Sequence, residues 1–364
     1  MAFSSHGECV SVGVKAHVLF SRLLSSDDYW HLLGSDTVGE VAQKLRATAY
    51  EDTLATLPAE PHRHDVESAI KMSLLQDALK FLIHLSNPRD RFFRAWIRWY
   101  EAENLKVIFR HVASGRGERD DLRRRLTVGI SKLPYDNLFS ARTFEDLADA
   151  LNGSPYYKVL VEPLKRLQTG EEHSLFPLEM ALDSFVEITL FRAMKKLEPA
   201  ERDNLLPIFG SRIDLLNLYM LYRALAFYDM TPEETLNRLL PVRYRVTLDF
   251  LRSAVRADSM ERVVEMLKDK FPAYAELMVG ALHTEEPQLT LERNISRYIY
   301  VQAQRVFGGG SPDFHTAMSY FVLKEYEIGD IVRIIEGVRY GYDRRTAANY
   351  LVRPIVTGGD AEWP

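Results

Sequence analysis

The sequence contains almost no cysteine, no long apolar run and no surplus of positive charge. Among its 364 residues, Cys9 is the single cysteine, which excludes an intrachain disulfide framework and a multi-cysteine zinc site and is typical of a reducing compartment. No apolar stretch approaches the ~20 residues that a helix needs to span a bilayer, so we expect no transmembrane segment. The net charge is −5, without the basic stripe that a general nucleic-acid-binding protein uses. We therefore expect no nucleic-acid partner.

Patterns for catalysis and cofactor binding are also weak. His62, His64 and Asp65 offer possible metal ligands, but zinc usually takes three or four ligands in a fixed geometry, and no helical metal-binding motif accompanies them. The segment more simply starts a helix, with Asp65 as its cap. The glycine-rich run 308–313 lacks the lysine of a phosphate-binding loop and contains a proline, which favours a connection between helices. We predict no catalytic residue, no metal and no cofactor, so the chain is not predicted to be an enzyme.

A short pattern occurs three times at a spacing of 113 residues. Each copy has a carboxylate, then an Asn or Asp three residues later, then apolar residues one and four positions further on. The carboxylates are Glu101, Asp214 and Glu327, and the residues that follow them are Asn104, Asn217 and Asp330. Arg110 and Arg223 come six residues later in the first two copies, whereas the third copy has Glu336. A fixed period indicates one structural unit built three times.

The repeat predicts an all-α protein made of three similar helical bundles. Apolar side chains recur with the 3.6-residue period of a helix in residues 66–84, 92–112, 178–196 and 291–306. We place the three repeats at residues 15–115, 130–232 and 245–345. Three equal units with similar joints can close into a ring with pseudo-threefold symmetry or form an open arc, and the physical argument leaves both possible. Residues 242–247 are the best candidate for a strand.

Helix starts are marked by hydroxyl side chains that can cap free N–H groups. Thr37, Thr143 and Ser259 hold matching positions in the three repeats. Thr37 and Thr143 are followed three residues later by an acid, which predicts a reciprocal capping box, and Ser259 is not. Thr231, followed by a proline and acids, predicts a further helix start.

Two sets of charged residues have competing interpretations. Glu101, Asp214 and Glu327 could act in acid–base chemistry, but they lie in different repeats. We predict instead that they are wholly or partly buried where helices meet, and that they pair with arginine or cap neighbouring helices. Arg123, Arg124 and Arg125 form the densest positive run, although Glu118, Asp120 and Asp121 neutralise it locally. A solvated face is the simpler interpretation, and contact with an acidic partner is the alternative.

The signature helices resemble a known family. Residues 100–106 with Arg110, residues 213–218 with Arg223, and residues 326–331 are similar to the three recurring helix signatures of the C subunit of bacterial and archaeal V-type (A-type) ATPases. Its eukaryotic relative is the d subunit of the vacuolar proton pump. The resemblance covers roughly residues 15–345. The third copy departs from the pattern at Asp330 and Glu336.

The resemblance implies an all-helical, pseudo-threefold funnel with no active site. It implies a central-stalk rotor subunit, peripheral to the cytoplasmic face of the membrane. The implied partners are the proteolipid ring of the membrane sector and the D and F subunits of the central axle. The implied role is to couple ATP hydrolysis or synthesis to proton or sodium transport. The competing hypothesis is a helical-repeat scaffold that binds an unrelated soluble partner.

Overall fold

The computed structural model describes residues 5–115, 122–123, 126, 131–228, 230–309 and 311–355. Within these residues every regular element is helical, which confirms the predicted all-α class. The chain divides into two compact units. One unit comprises Gly34–Leu197 with Val338–Gly341, and the other comprises Met1–Leu33, Glu198–Gly337 and Tyr342–Pro364. The prediction of three sequence repeats with the boundaries given above stays a prediction.

The helices follow one another with short connections. Up to residue 197 they are α1 (Ser5–Phe20), α2 (Ser26–Leu33), α3 (Val38–Leu45), α4 (Glu51–Leu54), α5 (Arg63–Leu82), α6 (Arg89–Ser114), α7 (Tyr135–Ser140), α8 (Phe144–Leu151), α9 (Tyr157–Thr169) and α10 (Phe176–Met194). After residue 197 they are α11 (Pro199–Leu205), α12 (Ser211–Phe227), α13 (Pro232–Arg238), α14 (Leu248–Ala254), α15 (Met260–Lys270), α16 (Pro272–Leu282), α17 (Pro287–Gly308), α18 (Phe314–Tyr340) and α19 (Arg344–Asn349). A π-helical turn, Leu206–Gly210, connects α11 to α12.

The predicted helix starts are present, with two changes in detail. Thr37, Thr143 and Ser259 each accept a hydrogen bond from the backbone N–H three residues later. Thr143 completes its capping box with an acid three residues on. In the first repeat, however, the Glu40 carboxylate accepts from the N–H of Asp36, one residue before the cap. The cap of α5 is His62, which accepts from the N–H of His64, so the prediction that Asp65 caps this helix is wrong.

The unit that contains residues 34–197 is built around α6. This helix packs along α10, and α8 packs against α9. Fully buried side chains such as Leu105, Phe109 and Leu182 form one apolar cluster with residues of α7 to α10. Burying each such side chain contributes about 1.5–3 kcal/mol, so the cluster fixes which faces of these helices point inward.

The other unit is built around α18. All side chains from Phe314 to Lys324 are buried, as expected for a helix surrounded by protein on every side. Helices α15, α16 and α17 pack in sequence, and α12 lies against α17. Helix α2 contacts α19, so segments near the start and the end of the chain belong to the same core.

Two glycines within helices of this unit provide a matched test of packing. A Cβ on Gly13 in α1 would overlap the backbone carbonyl of Pro312, whereas a Cβ on Gly280 in α16 would lie 3.7 Å from its nearest neighbour, the side chain of Asn294. We expect Gly13→Ala to lower the free energy of unfolding by about 1–3 kcal/mol, the usual cost of overpacking. Gly280→Ala should raise it by about 0.5–1 kcal/mol, because alanine loses less backbone entropy than glycine in a helix. Urea denaturation measures both, and a similar effect of the two substitutions would contradict this packing.

Candidate functional site

Three long helices carry the repeated residues. Glu101 and Asn104 lie on α6, Asp214 and Asn217 on α12, and Glu327 and Asp330 on α18. Asn104 and both residues of the second and third copies are buried, and Glu101 is partly buried. Buried polar groups are normally hydrogen-bonded, so their partners indicate what each copy of the signature does.

Asp214 holds the chain segment that precedes α14. Its carboxylate is fully buried and accepts three backbone hydrogen bonds, from the N–H groups of Tyr244 at 2.9 Å, Arg245 at 2.7 Å and Val246 at 3.0 Å. Burial raises the pKa of Asp214, and the three N–H donors oppose that shift by stabilising the anion. One side chain of α12 therefore satisfies three consecutive donors of a segment that has no helical hydrogen bonds of its own.

Asn217 holds the same segment three residues further along α12. Its Oδ1 accepts from the N–H of Leu240 at 2.7 Å, and its Nδ2 donates to the carbonyls of Leu240 and Val242. These contacts replace the sheet partner that a strand at 242–247 would need. The prediction of a strand there is wrong, because side chains of α12 supply the hydrogen bonds that a neighbouring strand would supply.

Asp330 makes an equivalent contact in the third copy. It accepts from the N–H of Val352 at 2.8 Å and of Arg353 at 2.9 Å, and from the Arg333 guanidinium at 3.0 Å. Leu240 lies 23 residues after Asn217, and Val352 lies 22 residues after Asp330. The two signatures thus bind the backbone of the segment that follows them at nearly the same distance along the chain.

The neighbouring sequence explains why one copy has Asn and the other has Asp. The residue after Leu240 is Pro241, which has no N–H to donate, whereas Val352 is followed by Arg353, which does. The second side-chain atom of Asn217 is therefore a donor that faces carbonyls, and the second oxygen of Asp330 is an acceptor that faces an N–H. The departure of the third copy from the pattern follows from the segment that it binds.

Glu327 joins the loop between α1 and α2 to α18. This buried carboxylate accepts from the N–H of Leu24 at 2.6 Å and from Lys324 at 3.0 Å. Arg353 donates to the carbonyl of Leu24 and lies over the ring of Tyr29. Both polar groups of Leu24 are thus held by residues more than 300 positions later in the sequence.

Two arginines of α17 hold the carbonyl side of the C-terminal segment. Arg293 donates to the carbonyl of Asn349, and Arg297 donates to the carbonyls of Asn349 and Leu351. Burial, together with the positive charge of Arg293, lowers the pKa of Arg297 to about 10. Residues 349–353 are therefore held through their N–H groups by α18 and through their carbonyls by α17.

The first copy uses tyrosine hydroxyls instead of backbone groups. Glu101 accepts from the hydroxyl of Tyr156 at 2.5 Å, and the Nδ2 of Asn104 donates to the hydroxyl of Tyr135 at 2.9 Å. Burial is the main cause that raises the pKa of Tyr156, and the Glu101 carboxylate adds to it, so this tyrosine stays a donor. Sequence reasoning did not identify either tyrosine, because nothing in their local sequence marks them as partners of α6.

Each of the first two signature helices also contacts the next long helix through an early glutamate. Arg110 on α6 forms a bidentate ion pair with Glu179 on α10, at 2.7 and 3.0 Å. Tyr219 on α12 donates from its hydroxyl to Glu292 on α17. Arg223 lies over the Tyr219 ring and donates to the hydroxyl of Tyr228. The repeat therefore includes contacts between neighbouring helices as well as contacts to the connecting segments.

Asp330 provides a pH-dependent test of this geometry. Burial raises its pKa to about 6, against the pull of Arg333 and the two backbone N–H groups. Between about pH 4 and pH 6 the folded protein keeps a proton that the unfolded chain releases, so the free energy of unfolding should fall as pH rises through this window. The full effect of this one group is about 3 kcal/mol. We expect Asp330→Asn, which places here the residue type found at position 217, to flatten this part of the curve in denaturation measured from pH 4 to pH 7. An unchanged slope would contradict the assignment.

These contacts give the signature residues a structural role. Each of the three carboxylates is engaged by donors from elsewhere in its own unit, as the helix-joining hypothesis requires. The donors include backbone N–H groups, a tyrosine and a lysine, whereas the sequence suggested arginine. Among the described residues, no group of three His, Cys, Asp or Glu side chains is placed to hold a metal ion.

A comparison with known protein families identifies the chain's relatives. A family model described as the ATP synthase (C/AC39) subunit matches residues 13–350. The chain belongs to this family. The match covers all three signature helices, so the resemblance inferred from them is confirmed.

Archaeal members of the family align with most of this chain. The C subunit of the A-type ATP synthase of Methanosarcina mazei is 21% identical over 342 residues, which cover 93% of this chain and 91% of the relative. The protein of the same name from Methanosarcina acetivorans is 21% identical over 327 residues, or 89% and 87% of the two chains. That from Methanocaldococcus jannaschii is 22% identical over 286 residues, or 75% and 68%.

The predicted partner-contact residues of this family member are only partly described. Arg124 and Arg125 lie outside the described residues. Arg123 is exposed, lies 3.7 Å from Asp136 and stacks over the ring of Phe139 at 5.2 Å. The assignment of this basic run to a partner stays a prediction. In the part of the chain that is described, no helix combines the length and apolar character needed to cross a membrane.

Proposed function

We propose that this chain is the non-catalytic central-stalk rotor subunit of a V/A-type ATPase. It links the axle, made of the D and F subunits, to the proteolipid ring of the membrane sector. It thereby couples ATP hydrolysis or synthesis to proton or sodium transport, and it lies peripherally on the cytoplasmic face of the membrane. Family membership over residues 13–350 supports its place in such a complex. The relatives are named as one subunit of the synthase, which fits an accessory role.

The observation that carries the proposal is the set of buried polar contacts that tie irregular segments to long helices. A part that passes torque must resist deformation, and irregular segments are usually the least stable parts of a fold. Here residues 240–246 are bound by two buried side chains of α12, and residues 349–353 are bound by α17 and α18. Fixing these segments makes a helical body stiffer than apolar packing alone would.

The rotor proposal includes three equivalent repeats, at residues 15–115, 130–232 and 245–345, arranged as a pseudo-threefold funnel. Two features of the contacts support the repeat. Asn217 and Asp330 bind backbone at nearly the same separation along the chain. The contact between Arg110 and Glu179 is matched by that between Tyr219 and Glu292. Similar contacts at regular spacing are expected when one unit has been duplicated.

Reassembly of the complex tests the proposed position. Membranes that contain the proteolipid ring should retain the head and axle only when this chain is added. Specific interfaces usually bury about 1,200–2,000 Å², so the complex should survive sedimentation. The measurement is the amount of axle subunits that sediments with the membranes, with and without the purified chain. Full retention of the axle without the chain would contradict the proposal and favour the scaffold hypothesis.

A further inference from the structure

A small apolar cleft lies where the end of α12 meets the start of α17. Its lining is Phe227, Pro287 and Leu289, with Glu286, Gln288 and Glu292 at its edge, and we refer to these residues as the Phe227 cleft. Its volume is about 280 Å³. Phe227 is 56% exposed and Leu289 is 42% exposed. Large apolar side chains that are exposed together in a concave site mark an interaction surface more often than isolated ones do.

The walls of the cleft are held in place by contacts within the same unit. The ring of Phe227 packs edge-on against Tyr222, with centroids 5.8 Å apart. Glu292 accepts from the Tyr219 hydroxyl and, at 3.4 Å, from the side chain of Gln288. A preorganised site loses little conformational entropy when a partner binds.

The rim of the cleft is acidic. Glu286 and Glu292 flank it, both exposed, and Glu285 lies next to Glu286 at the start of α17. An anionic lipid surface or a nucleic acid would be repelled by these carboxylates. Small-molecule pockets usually enclose about 300–1,000 Å³, so the cleft suits one inserted side chain better than a whole ligand.

We propose that the Phe227 cleft is a docking site for a protein segment that inserts one large apolar side chain and flanks it with lysine or arginine. The inserted side chain packs on Phe227, Pro287 and Leu289, and the flanking cations face Glu286 and Glu292. The inference rests on the proposed function, because the partner is another subunit of the same ATPase. It adds the surface used and the chemistry of the segment that the surface recognises.

Matched substitutions test the apolar and the charged parts of this site separately. Phe227→Ser and Leu289→Ser remove the apolar floor, and Glu286→Lys reverses a rim charge. Ile83→Ser is the apolar control, since Ile83 is 79% exposed and lies in the other unit. Glu276→Lys on α16 is the charge control, since Glu276 is exposed outside the cleft. The readout is the affinity of the full-length chain for ATPase complex from which this subunit has been removed, measured at low and at high salt.

We expect each of the three cleft variants to weaken binding by about tenfold or more, as at a central interface residue, with little change in the two controls. The effect of Glu286→Lys should shrink at high salt, because exposed charges are screened. If the unmodified chain binds and the cleft variants bind equally well, the cleft inference is wrong and the rotor proposal stands. If the unmodified chain does not bind the depleted complex, the rotor proposal itself fails.

Crosslinking identifies the chemistry of the occupant. A photoreactive benzoylphenylalanine introduced at position 289 should crosslink to one peptide of another ATPase subunit within the assembled complex. That peptide should contain a large apolar residue with lysine or arginine close by. A crosslink to an acidic or purely polar peptide, to lipid, or to no partner would overturn the inference.

Discussion

Replacing Asp214 with alanine is expected to lower the free energy of unfolding by about 3–5 kcal/mol, as the loss of a buried, fully used carboxylate does. The substitution leaves the N–H groups of Tyr244, Arg245 and Val246 without their acceptor. An unsatisfied buried polar group costs about 1–3 kcal/mol, so the total follows from these donors. The melting midpoint should fall by roughly 10 °C.

Two controls separate this contact from a general effect of losing an aspartate. Asp214→Asn keeps one acceptor oxygen and turns an NH₂ group toward a backbone donor, so we expect an intermediate loss of stability. Asp258→Ala removes an exposed aspartate of the same unit and should change the midpoint little. Calorimetry of the three variants measures the order. An unchanged midpoint for Asp214→Ala would show that the carboxylate does not hold residues 244–246.

The helices could be predicted from the sequence because their signals are local. The 3.6-residue apolar period at residues 66–84 and 178–196 predicts α5 and α10 within a few residues. The hydroxyl caps at Thr143 and Thr231 act on N–H groups only three residues away. Such patterns require no knowledge of the rest of the fold.

The partners of the signature residues could not be predicted, because they are distant in sequence. Glu327 binds a backbone N–H that lies 303 positions earlier, and Glu101 binds a tyrosine 55 positions later. One signal was present but unused. Two apolar residues, the second of them 22 or 23 positions after the signature, occur shortly before a proline in both Leu239–Pro241 and Leu351–Pro354. This similarity pairs the two segments that Asn217 and Asp330 bind.

The incorrect strand prediction has a related cause. Residues 242–247 contain the β-branched and aromatic residues that favour non-helical backbone. A strand also needs a neighbouring strand to satisfy its N–H and carbonyl groups. The sequence does not reveal that Asp214 and Asn217 satisfy those groups.

Removing this chain from its ATPase should separate ATP hydrolysis from ion transport. In the rotor proposal, the catalytic head hydrolyses ATP with its own residues, and this chain only passes the resulting rotation to the membrane ring. Without the chain, the head should still turn over ATP, but rotation should not reach the ring. Adding back the folded chain should restore transport, because its contacts with the axle and the ring do not depend on catalysis.

The most direct test is to measure ATP hydrolysis and ion uptake together in membrane vesicles that lack this chain and in the same vesicles after it is restored. The proposal predicts continued hydrolysis without ATP-driven uptake in the first sample and the return of uptake in the second. ATP-driven uptake that remains fully coupled to hydrolysis in the absence of the chain would contradict the rotor function.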